Sequence, residues 1–157
     1  MSRFSSVLVL SLLLYTSCEY DRVEPIEPPN PEIPTVTFIK ADGANPNDPA
    51  NQDRITDNVW ITRGNNGQIY NASVNSSSNK QSSPVDTEWA LGTTENVESL
   101  TFNTFRGTIR PKSVVGKDLV LHLITDDIYL DVRFISWSSG GQGGFAYTRT
   151  DISAQPQ

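Results

Sequence analysis

Residues 119–150 read LVLHLITDDIYLDVRFISWSSGGQGGFAYTRT, and this stretch decides the fold. In an extended chain Leu119, Leu121 and Leu123 fall on one face and Val120, His122 and Ile124 on the other, so both faces are apolar and the strand belongs inside a sheet. Asp126 and Asp127 follow Thr125 where a turn favours such side chains, and they reverse the chain. Ile128, Leu130, Val132 and Phe134 then alternate inward, while Tyr129, Asp131, Arg133, Ile135 and Trp137 line the opposite face. The glycine-rich run 138–144 turns the chain again, into a strand that starts at Phe145 and ends at Thr150. The expected unit is a three-strand antiparallel meander.

The same signature continues upstream. β-branched and aromatic residues recur in short runs punctuated by Gly, Asn, Asp, Ser and Pro, which predicts strands over Val36–Lys40, Ile55–Arg63, Ile69–Ser73, Thr87–Leu91 and Leu100–Arg106. Asp42–Gln52 reads as a loop, and no stretch keeps a helical period. With about eight short antiparallel strands, residues 35–153 are expected to form an all-β sandwich or jelly roll, because two sheets must cover each other's apolar faces. Residues 154–157 form a tail.

The N-terminus is an address. Arg3 supplies a positive start and Val7–Leu14 an apolar run too short to span a bilayer, so residues 1–17 are a secretory signal peptide. The run closes in Leu14-Tyr15-Thr16-Ser17-Cys18, which resembles the lipobox of bacterial lipoproteins, with Tyr15 where that family usually carries a smaller aliphatic residue. The resemblance implies that Cys18 is acylated and begins the mature chain. Several acyl chains anchor stably, since each buried methylene adds about 0.8 kcal/mol of membrane affinity.

Residues 18–34 read CEYDRVEPIEPPNPEIP and hold five of the ten prolines. Proline fixes φ and removes donors, so this segment is expected to be an unpacked, extended polyproline-like tether. It carries Arg22 against Glu19, Asp21, Glu24, Glu27 and Glu32. Acids directly after an acylated Cys resemble the export signals of surface lipoproteins in Bacteroidetes; an ordinary linker is the alternative. The expected location is the bacterial cell envelope, lipid-anchored at the outer membrane and displayed on the surface.

Segments 51–65, 86–90, 121–129, 134–137 and 145–150, taken together, resemble an uncharacterised β-rich domain of secreted and surface proteins from marine and environmental bacteria. The resemblance covers residues 35–152 and implies a β fold. It brings no catalytic or binding residue with it.

Composition narrows the chemistry. The chain has 157 residues, one Cys and one His, which excludes a disulfide framework, a multi-cysteine zinc site and a cluster of imidazole ligands. Its net charge of −6 argues against nucleic acid, whose binding requires a basic face that releases counterions. His122 alternates with apolar neighbours and reads as a hydrogen-bonded core or rim residue. No nucleophile elbow or phosphate-binding glycine loop is present, since Gly140–Gly144 lies between two strands.

Three candidates remain. Asp42, Asp48 and Asp53, with Asn45, Asn47 and Asn51, crowd oxygen donors into one loop, where a structural Ca²⁺ is the alternative to a metal-free loop; no other cofactor is expected. Tyr129, Asp131, Arg133 and Trp137 are expected on one strand face, where aromatic rings stack on sugars and the charged pair bonds to hydroxyls, unless the rings fill the core instead. Asp126, Asp127, Asp131, Glu88 and Asp57 could supply the carboxylate pair of a secreted glycoside hydrolase. The expected function is a non-catalytic envelope module that is adhesive, glycan-binding or structural, with a polysaccharide or another surface protein as partner; a carbohydrate-active hydrolase and an accessory subunit of a surface complex are the alternatives.

Overall fold

The meander forms as its alternation requires. In a computed structural model, residues 33–79 and 82–154 are described; the signal segment, the proposed lipidation site Cys18 and the tether up to residue 32 lie outside the described residues. The strands are β1 (Thr35–Lys40), β2 (Asp53–Arg54), β3 (Trp60–Arg63), β4 (Ile69–Asn71), β5 (Thr87–Leu91), β6 (Asp118–Leu123), β7 (Ile128–Trp137) and β8 (Phe145–Thr150). They build a five-stranded antiparallel sheet in the order β1-β8-β7-β6-β5 and a three-stranded one in the order β2-β3-β4. The fold is an all-β sandwich.

The core lies between the sheets. Leu119, Leu121, Leu123, Leu130, Val132, Phe134, Phe145 and Tyr147 of the larger sheet meet Ile55, Val59, Ile61 and Ile69 from the smaller one and its turn. Each such side chain contributes about 1.5–3 kcal/mol when fully buried. β6 is flanked by β5 and β7 and is buried on both faces from Leu119 to Leu123, which accounts for its continuous apolar run.

Three expectations fail locally. Ile55–Arg63 is not one strand: Thr56 Oγ1 accepts from the N–H groups of Asn58 and Val59, and Ile55 N–H donates to the Val59 carbonyl, so the chain turns between β2 and β3. A Thr-Asp-Asn run offers the backbone a local alternative to the ladder. Leu100–Arg106 is not a strand either. Asn103 bridges to Trp89, after which Thr104 caps the four-residue helix α1 (Phe105–Thr108) by accepting from Gly107 N–H.

The third failure is a bulge in β7. Phe134 pairs with Tyr147 and Ser136 with Ala146, leaving Ile135 as an extra residue that is half-exposed. An inserted residue reverses the in/out parity beyond it. Trp137 therefore returns to the core side, against Phe105, Phe134 and Phe145, and leaves the face that carries Tyr129, Asp131 and Arg133.

Candidate functional site

The four residues expected to share a sugar-binding face are employed separately. Tyr129 stacks on its cross-strand neighbour His122 with centroids 4.0 Å apart and planes 2° from parallel, and Phe102 meets both rings edge-on. Asp131 accepts from Thr94 N–H at 2.7 Å and from Thr94 Oγ1 at 2.8 Å, pinning a 3₁₀ segment to β7. Arg133 pairs with its cross-strand neighbour Asp118 on β6. Asp131 and Arg133 border a depression of about 90 Å³, below the few hundred Å³ that a ligand site occupies.

The three carboxylates of the calcium reading have separate partners. Asp53 is buried and spends both carboxylate oxygens on Arg149, at 2.8 and 2.9 Å, and on the Tyr147 hydroxyl at 2.6 Å. Asp48 accepts from Ala50 N–H as a cap, and Asp42 accepts from Gly144 N–H. Three carboxylates that look adjacent in sequence serve three different backbone and side-chain partners. No group of three or more His, Cys, Asp or Glu among the described residues could hold a metal.

His122 sits at the rim as a hydrogen-bonded residue, its Nδ1 2.8 Å from Glu88 and its Nε2 3.3 Å from Asp127. Glu88 and Asp127 thus flank one imidazole. Asp127 also adopts a positive φ of 53°, and Asp126 accepts from Thr56 Oγ1 and Asn58 Nδ2, so both acids serve the turn as well.

A larger site lies elsewhere. A cleft of about 860 Å³ opens between the β3–β4 loop, the segment after α1 and the turn after β7. Among its lining residues Arg63 is buried, and its guanidinium lies 3.9 Å over the Trp137 ring and donates to the carbonyls of Gly67, Ser138 and Gly144 at 3.0–3.1 Å. One side chain thereby joins two walls. Glycine lets them approach: Gly143 has φ +74°, and a Cβ there would lie 2.6 Å from Asn65 Cα and 2.7 Å from the Gly64 carbonyl.

The lining is polar and one-signed. Asn65, Asn66 and Gln68 supply amides, Ser113, Ser138 and Ser139 hydroxyls, and Arg106, Arg110 and Lys112 exposed cations, with no carboxylate. Behind the turn, Lys40 is buried with its Nζ 3.4 Å from the Gly143 carbonyl. Burial lowers the Lys40 pKa from the usual lysine value, the nearby Arg63 charge adds to this, and Asp42 opposes it. Burial pushes Arg63 down as well, again opposed by Asp42.

Of the cleft's lining residues only Trp137 is a candidate binding residue from sequence. One further signal was present: no acid occurs between Glu98 and Asp118, whereas Arg106, Arg110, Lys112 and Lys117 fall in that interval. Net charge concealed it, because an acidic total averages over the patch. Compared with protein-family models, with curated proteins and with solved structures, the chain matches none of them.

Proposed function

We propose that this chain is a lipid-anchored cell-envelope protein whose β-sandwich captures a glycan in the cleft beside Trp137, without cleaving it. The observation that carries the reading is the lining: amides, hydroxyls and cations in a space of about 860 Å³. That volume lies within the range of ligand-binding clefts, and convergent polar groups fix a ligand's orientation. Glycoside cleavage requires two carboxylates about 5–10 Å apart across the bond, and the lining has none. The acids brought together by the fold, Glu88 and Asp127, flank His122 instead. The anchor rests on Cys18 and the lipobox resemblance; no helix among the described residues is long and apolar enough to cross a membrane.

A glycan array tests the site with two variants. Ser139→Trp, at an exposed lining position, should obstruct the cleft and abolish binding, whereas Tyr129→Ala should retain it. The opposite pattern would return the site to the β7 face.

A further inference from the structure

We propose that the ligand is an anionic polysaccharide, its repeating units bearing carboxylate or sulfate groups, held by Arg106, Arg110 and Lys112. This deepens the glycan reading and rests on it. Away from the cleft, Arg133 pairs with Asp118, the buried Arg149 pairs with Asp53, and Arg54 bonds to Gln52 and covers the Trp60 ring, whereas Lys117 is exposed without an ion pair to a described residue. Arg106, Arg110 and Lys112 are exposed on the cleft and form no ion pair with any described residue.

Two further cations stand behind them. Arg63 and Lys40 are nearly inaccessible and are bonded to carbonyl oxygens instead of carboxylates. Asp42 lies near both and offsets part of their charge, but no carboxylate bonds to either, and buried positive charge without a paired acid is costly. A concave, low-dielectric wall backed by such charge focuses a positive potential into the cleft, although the chain as a whole is acidic. Arginine's planar fork matches carboxylate and sulfate oxygens bidentately, while the Asn and Ser groups between the cations suit ring hydroxyls. A neutral glycan would use the amides and hydroxyls and leave the charges idle.

The experiment is titration calorimetry on the full-length chain with polygalacturonate, dextran sulfate, neutral dextran and poly-glutamate. At least one of the two anionic polysaccharides should bind, and dextran and poly-glutamate should not. Raising NaCl from about 50 to about 300 mM should weaken binding about tenfold. The variant carrying Arg106→Ala, Arg110→Ala and Lys112→Ala should lose about tenfold or more, its fold being checked by circular dichroism because all three side chains are exposed. Lys117→Ala, in the same acid-free interval but outside the cleft lining, should change nothing.

Dextran binding that Ser139→Trp abolishes and the triple variant leaves intact would overturn the anionic ligand while keeping the cleft as a glycan site. Binding of no polysaccharide at all would overturn both. Equal binding of poly-glutamate, or equal losses for Lys117→Ala and the triple variant, would reduce the effect to general surface charge and overturn the proposal.

Discussion

Asp53 shows how one side chain can fasten two layers. It sits on β2 in the small sheet, yet its partners Tyr147 and Arg149 belong to β8 of the large one, and all three are buried. Removing one member of a buried pair leaves the other charge stranded, at a cost of about 3–5 kcal/mol. Asp53→Asn should therefore lower chemical-denaturation stability by an amount of that order, read from the midpoint at unchanged slope. Tyr147 gives a pH signature. Its phenol is held well above the ordinary tyrosine value by burial first, then by the Asp53 charge and hydrogen bond. A raised folded pKa stabilises the fold fully below the unfolded value of about 10, and that contribution fades as pH climbs beyond it. Tyr147→Phe should cost about 1–2 kcal/mol at neutral pH, and the gap to the parent should narrow in melts run above about pH 10. None of this was legible in sequence, where Asp53 looks like one more loop carboxylate beside Asp48, because its partners lie 94 and 96 positions away.

At the scale of elements, the small sheet survives on side-chain help. Its strands run only two to four residues, too short for a stable ladder alone. Asn71 makes up the deficit from a fully buried position: its Oδ1 accepts from Trp60 N–H at 2.9 Å, and its Nδ2 donates to the carbonyls of Asn58 and Val85 at 2.8 and 3.0 Å. Asn71→Asp keeps the acceptor but aims a carboxylate oxygen at two carbonyls. It should cost about 3 kcal/mol or more, and amide exchange in β3 and β4 should accelerate well before that of β6 to β8. The meander could be read residue by residue up to Phe134, because its alternation is clean to that point. The bulge at Ile135 was invisible for the opposite reason: Ile135-Ser136-Trp137 continues the alternation on paper, and only pairing with β8 shows that one residue is surplus.

For the whole molecule, alternation and turn residues sufficed for the fold class, since strands need only a local pattern and a second layer to cover them. The cleft did not emerge, because its walls come from three loops whose meeting depends on Arg63 reaching across to Ser138 and Gly144. The proposed anchoring is a property of the entire chain and has a direct check. Cys18→Ser should move the protein from the membrane fraction to the soluble one, and intact mass should show acylation on the parent alone. The way the chain enters the sandwich adds a mechanical consequence. Thr35 pairs with Thr150 and Lys40 with Phe145, which in turn pairs with Trp137, so entry and cleft lie at opposite ends of the same strands. Under the proposed anchoring and capture, tension between a held polymer and the chain preceding Thr35 would run along β1. Antiparallel hydrogen bonds stand perpendicular to that direction, so the β1–β8 rungs share the load in shear instead of unzipping one after another, a geometry that resists drag.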